Sequence, residues 1–199
     1  DVRPRTIMSL AIGAAATALA LSLVLGPAFA LAHLVALGAG WAYNAGLKRT
    51  LLATACYAVA FALLPVLVAL AREEPRPAAW WAVVMGGMLG LAAHFANVLP
   101  DLEADRRHGI RALPHRLGAR GAGAVALVAL ATAGVLGVLG AAPATPLTLV
   151  GAGATLVLLV AGLVVIVRAS GSRALFRIIM LAALAAVLTL AGAAGSIVA

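Results

Sequence analysis

Charged residues are scarce in this chain, and acidic residues are the scarcest. Only 10% of the 199 residues are charged, and six acids stand against 14 lysines and arginines, while 65% of the residues are hydrophobic. So much apolar surface excludes an ordinary water-soluble domain and is typical of helices that pack in lipid. The formal net charge of +8 would suggest a nucleic-acid partner in a soluble protein. We expect no such partner here, because membrane orientation explains the excess.

Cysteine is nearly absent as well. The one cysteine, Cys56, lies within an apolar run, which excludes an intrachain disulfide and indicates a small packing residue. The chain begins at Asp1 and has no secretory signal pattern of charged, apolar and small residues. We therefore expect a piece whose N-terminal part is missing, or a protein cut at a loop.

Long apolar runs fill most of the sequence. A helix needs about 20 apolar residues to cross a bilayer, and seven runs of suitable length are separated by polar or turn residues. They cover residues 6–25, 28–43, 51–71, 78–99, 121–140, 147–167 and 174–199. The sequence thus predicts an all-α membrane protein, in which residues 1–199 form one domain, a bundle of seven transmembrane helices.

The basic residues predict how this bundle lies in the membrane. With the N-terminus inside, 12 of the 14 lysines and arginines fall in the inside loops. Only Arg72 and Arg76 fall outside, where Glu73 and Glu74 balance them. Because positive charge concentrates on the cytoplasmic side of membrane proteins, we expect a multi-pass protein of the bacterial cell membrane. Its N-terminus and polar loops would be cytoplasmic and its C-terminus would be outside.

The most informative segment is residues 97–105, where an apolar run meets the densest block of charge. Asn97, Asp101 and Asp105 are spaced four residues apart, which predicts one helical face with His94 on the same side. Two carboxylates on one stripe of a membrane helix indicate that a cation holds them there. The expected cation is Mg²⁺, bound by Asp101 and Asp105 and bridging to a phosphate. A solvated helix end is the alternative for these acids.

Several polar residues at the same predicted end are further candidates, each with a structural alternative. Lys48 and Arg49 are either phosphate ligands or orientation anchors. Tyr43 and Asn44 either line a polar pocket or mark the headgroup level. The cations of the loop after the acidic segment are Arg106, Arg107 and Arg111.

The four histidines have different expectations. His94 either contacts a substrate or packs within the bundle, whereas His33 is alone in an apolar run and is interpreted as structural. His108 and His115 lie in a charged loop, and we expect both to face solvent.

Two segments resemble the UbiA-type intramembrane prenyltransferases. Asn97-x3-Asp101-x3-Asp105, followed by RRHGIRALPHRLG at residues 106–118, resembles the second aspartate-rich motif of that family, with Ala112 where threonine is usual. The segment YNAGLKR at residues 43–49 resembles the family's Tyr-x4-Lys-Arg segment after an earlier helix. Arg3-Pro4 resembles the Arg-Pro that trails the family's first aspartate-rich motif, but the first motif itself is absent.

The resemblance implies a nine-helix bundle whose third to ninth helices would match the seven predicted here. It implies transfer of an isoprenyl group from a prenyl diphosphate to an aromatic or other lipophilic acceptor within the membrane. Asp101 and Asp105 would hold Mg²⁺ on the diphosphate, and Lys48 would act with them on the leaving group. The implied substrate contacts are Asn97, Tyr43, Asn44, Arg49, Arg107 and His94.

A non-catalytic membrane binding or transport protein is the alternative function. Transporters more often carry polar groups at mid-membrane and have broken helices in related halves. Here the acids lie at one interface, which favours the enzyme.

Overall fold

The computed structural model describes residues 3–107, 112–168 and 172–199, apart from the side chains of Arg106 and Ser172. In these ranges the chain folds into α-helices joined by short turns. The helices are α1 (Pro4–Ser22), α2 (Pro27–Ala45), α3 (Ala53–Leu70), α4 (Trp80–Val98), α5 (Leu102–Arg107), α6 (Leu113–Gly140), α7 (Pro146–Val167) and α8 (Ser172–Gly192). The predicted all-α architecture is therefore confirmed.

Within the described ranges, six helices are long and apolar enough to cross a membrane. They are α1 with the turn that follows it, α3, α4, α6, α7 and α8. The second predicted run is the 19-residue helix α2, which is not among the six because His33, Tyr43 and Asn44 lower its hydropathy. The predicted count of seven transmembrane helices is therefore not confirmed, since six helices in the described ranges qualify.

Two predicted boundaries differ from the structure. A short helical segment starts at Leu113, ahead of the predicted start at residue 121, because Pro114 is suited to a first turn. Gly118, whose φ of 68° is not helical, separates this segment from the long part of α6. The last helix ends at Gly192 although the apolar run continues to residue 199. The final residues instead pair with the segment before α4, where the Ala79 N–H donates to the Ile197 carbonyl at 2.8 Å.

Helix α4 lies at the centre of the bundle, in contact with α3, α6 and α8. Within its apolar window 67% of the residues are buried, against 6% for α1. A Cβ at Gly86 would lie 2.5 Å from the Phe61 carbonyl oxygen, and one at Gly90 would meet the Tyr57 carbonyl oxygen. These glycines therefore let the backbones of α3 and α4 approach closely, which brings the first turns of α3 against the site-bearing end of α4.

Candidate functional site

The acidic segment lies where α4 gives way to α5. Pro100 has no N–H to continue the helical bonding, and the Leu99 and Asp101 N–H groups bond to carbonyls three residues back. Asn97 is therefore in the last turn of α4, Asp101 in the connecting turn and Asp105 in α5. The predicted single helix was wrong, although the Asp105 N–H donates to the Asp101 carbonyl at 2.8 Å. Asn97 and Asp101 are exposed and Asp105 is half-buried.

His115 is bonded to one of these acids. Its Nε2 lies 3.0 Å from Asp105 Oδ2, and its side chain is 3% exposed, against 30% for Asp105. Because an ionised carboxylate only accepts hydrogen bonds, Nε2 is the donor. The expectation that His115 faces solvent was wrong, because α6 begins at Leu113 and His115 lies on its buried first turn. His108 and Arg111 lie outside the described residues.

His94 lies beneath the acidic segment and is enclosed by aromatic rings. Its ring centroid is 5.0 Å from that of Tyr57 and 6.2 Å from that of Tyr43. The side chain is buried, and neither ring nitrogen has a hydrogen-bond partner within the described part of the chain.

Tyr43 connects the two sequence segments that were recognised separately. Its ring meets Tyr57 edge to face, with centroids 5.2 Å apart, and also contacts His94, three residues before Asn97, with centroids 6.2 Å apart. Together with Asn44 and Cys56, these tyrosines line an open pocket of about 340 Å³ between α2 and α3. Cys56 is buried, as predicted, and the Asn44 side-chain amide donates to the Gly40 carbonyl at 3.1 Å.

Three predicted cations lie free near this end of the bundle. Lys48 and Arg49 are exposed in the 3₁₀ turn after α2, and Arg107 is exposed at the end of α5. Across residues 3–107, 112–168 and 172–199 none of the three pairs with a carboxylate. Their charge therefore remains available to an anion.

The donor set at this end fits Mg²⁺ better than a softer metal. The described residues contain no group of three or more histidines, cysteines and acids able to hold a metal by themselves. Mg²⁺ needs no such cage, since it binds through one or two carboxylates, waters and substrate phosphates. Asp101 has no ion-pair partner in the described ranges, and His115 engages only one oxygen of Asp105. Two carboxylates are thus accessible to a phosphate-bound cation.

Comparison with known proteins decides the family. The model of the UbiA prenyltransferase family matches residues 1–176, which include both segments singled out above. The chain belongs to the UbiA prenyltransferase family. No curated protein and no solved structure matches it. UbiA enzymes are membrane prenyltransferases that generally use Mg²⁺, and the six apolar helices agree with an integral, multi-pass UbiA protein.

Two residues of this UbiA site were missed in the sequence. Tyr57 is one of only two tyrosines in the chain, and its rarity in an apolar run was the available signal. For His115 the signal was Pro114, because proline favours the first turn of a helix and so argues against a solvated loop.

Proposed function

We propose that this UbiA chain transfers an isoprenyl group from a prenyl diphosphate to an aromatic or other lipophilic acceptor, in an Mg²⁺-dependent reaction within the membrane. One observation carries the proposal. Tyr43, from the Tyr-x4-Lys-Arg segment, meets His94, three residues before Asn97, in a ring contact with centroids 6.2 Å apart, although the two residues are some 50 positions apart in the sequence. Two segments with family-like spacing therefore share one end of the bundle.

The acidic and the basic residues have different roles toward the diphosphate. Asp101 and Asp105 are the metal ligands in this proposal, and bound Mg²⁺ would stabilise the negative charge that develops on the leaving diphosphate. Lys48 supplies a mobile positive charge to the same group, as do Arg49 and Arg107, because all three are exposed and unpaired in the described part of the protein. The exposed amide of Asn97 binds a further diphosphate oxygen.

The aromatic pocket between α2 and α3 serves the organic part of the reaction. Tyr43 and Asn44 line it, and His94 packs behind both tyrosines. Its other walls are largely apolar, and they keep water away from the allylic carbon, which would otherwise be quenched when the diphosphate leaves. In this proposal Tyr43 and Asn44 contact substrate, and His94 supports the two tyrosine rings from behind.

We also propose how the chain lies in the membrane. Residues 1–199 form one domain, in which α2 is a seventh span. The N-terminus and the site loops are cytoplasmic and the C-terminus is outside, in a bacterial cell membrane. The support for this orientation is the basic charge, which collects at the site end, whereas the α3–α4 loop pairs Arg76 with Glu74 at 3.3 Å.

The test uses the full-length protein in lipid nanodiscs, with a radiolabelled prenyl diphosphate and Mg²⁺. Release of diphosphate should fall in Asp101→Ala and Asp105→Ala by more than the roughly 10–100-fold lost when only a hydrogen-bond partner of a metal ligand is removed. Glu103→Gln is the matched control, because Glu103 is an exposed acid of the same segment and should retain wild-type turnover.

Unchanged turnover in either aspartate variant would refute the metal-binding role. Specific binding of a lipophilic ligand without any Mg²⁺-dependent diphosphate release would instead favour a non-catalytic binding or transport protein.

A further inference from the structure

The hydrogen bond between His115 and Asp105 joins two helices at the site. Asp105 lies on α5, which has only six residues, and α5 contacts α6, the helix that carries His115. The imidazole is nearly inaccessible while the carboxylate is partly exposed. The anchored partner is therefore the histidine, and the group whose orientation it limits is the carboxylate.

We infer that His115 is a positioning residue for the metal-binding carboxylate of Asp105. Nε2–H holds Oδ2, which fixes the rotation of the carboxyl group and leaves Oδ1 as the ligand atom. This inference rests on the proposed function, because it gives Asp105 the metal that the proposed function assigns to it. Hydrogen-bond partners that orient metal ligands commonly govern metal affinity, and nothing in the sequence spacing points to this one.

The burial of His115 favours this role over simple packing. Its Nδ1 has no hydrogen-bond partner among the described residues, and an unpaired nitrogen in the interior opposes folding. An apolar side chain of similar size would avoid that cost, and water could solvate the partly exposed Asp105 without any histidine. The hydrogen bond between His115 and Asp105 therefore adds little to the stability of the protein, and its main effect is to fix the orientation of the Asp105 carboxylate.

The backbone around His115 holds the ring in place. Ala112 and Pro114 are buried, and the His115 N–H donates to the Ala112 carbonyl at 3.0 Å in the first helical turn. The ring therefore extends from a buried, hydrogen-bonded turn, and Asp105 aligns to it.

The experiment compares side chains that differ in how far their donor reaches. In His115→Gln an amide nitrogen occupies roughly the place of Nε2, whereas His115→Asn has the same amide one carbon shorter and cannot reach Asp105. Both are made in the full-length protein in nanodiscs. Binding of Mn²⁺ in the presence of inorganic pyrophosphate is followed by electron paramagnetic resonance, so that the readout does not depend on turnover.

His115→Asn should weaken Mn²⁺ binding by roughly 10-fold or more, while His115→Gln should retain most of it. In an Asp105→Asn background, neither change should weaken binding further, because His115 acts through that carboxylate. Wild-type binding in both histidine variants would overturn the inference, as would equal losses in both, since equal losses would mean that the reach of the donor does not matter.

Asp101→Asn and Asp105→Asn separate this inference from the proposed function. If these variants bind Mn²⁺ as the wild type does, the proposed metal site itself is wrong. If they lose binding while both histidine variants keep it, only the role of His115 is wrong.

Discussion

Replacing His94 with leucine should make this protein more stable and less active. His94 has 1% of its surface exposed, and neither of its ring nitrogens has a partner in the described part of the chain. A buried polar group left unpaired costs about 1–3 kcal/mol. Leucine removes that polar group and has a similar size. Whether the substitution raises or lowers the free energy of unfolding therefore depends on how much the contacts of the imidazole ring stabilise the protein.

The ring contributes through three aromatic contacts, with Tyr57, Phe95 and Tyr43 at 5.0, 5.9 and 6.2 Å between centroids. Three such contacts are together worth about 1.5–4.5 kcal/mol, whereas two unpaired nitrogens cost about 2–6 kcal/mol, so the cost is the larger of the two. The net gain expected for His94→Leu is about 1 kcal/mol. For a domain of this length that corresponds to a rise of roughly 2–4 °C in the melting temperature.

The assay is thermal unfolding of the purified protein in detergent, alongside prenyl transfer measured in nanodiscs. Phe95→Leu is the matched control, because Phe95 is the next residue, is equally buried and has no polar atom to leave unpaired. It should lose up to about 1.5 kcal/mol. If His94→Leu is destabilised as much as this control, the nitrogens are satisfied in the folded protein and the reasoning fails. A more stable His94→Leu with reduced transfer would mean that the imidazole is retained for function at the expense of stability.

The remaining predictions concern packing and orientation. Gly90→Ala should lower the free energy of unfolding by about 1–3 kcal/mol, because the added methyl group meets the α3 backbone. Gly153→Ala, which lies in open space on α7, is the control and should be neutral or gain up to about 1 kcal/mol. Equal effects of the two substitutions in thermal unfolding would contradict the close approach of α3 and α4. In a Cys56→Ala background, an impermeant maleimide should label Glu74→Cys in intact cells but Arg173→Cys only after lysis, and the reverse pattern would invert the proposed orientation.

Composition was sufficient to predict the helices but not where they end. Apolar runs mark the segments that lipid accepts, and each of the seven runs contains a long helix. The ends depend on local backbone chemistry. Helical structure starts at Leu113, eight residues before the apolar run begins, with Pro114 in its first turn. The residues after Gly192 leave the helix to pair with residues 77–79, although nothing in their hydropathy distinguishes them from α8.

The site was predictable as a location but not as an arrangement. The spacing of Asn97, Asp101 and Asp105 identified one end of the bundle. Neither the break at Pro100 nor the burial of His115 was predicted. The break results from the loss of one backbone donor. The burial of His115 depends on where another helix begins. Contacts between helices that are distant in the sequence, such as that of Tyr57 with His94, produce no periodic pattern in the sequence from which they could be predicted.

The pairing of the C-terminal segment has a consequence for entry of lipophilic molecules. At the end opposite the acids, α4 is held by hydrogen bonds from Ala79 to Ile197 and from Ala199 to Pro77. At the other end, the hydrogen bond between Asp105 and His115 restrains it through α5 and α6. By contrast, α1 is little buried and packs chiefly against α2. The central helix α4 is therefore held at both of its ends, so any entry route that required α4 to move would have to break one of these two attachments.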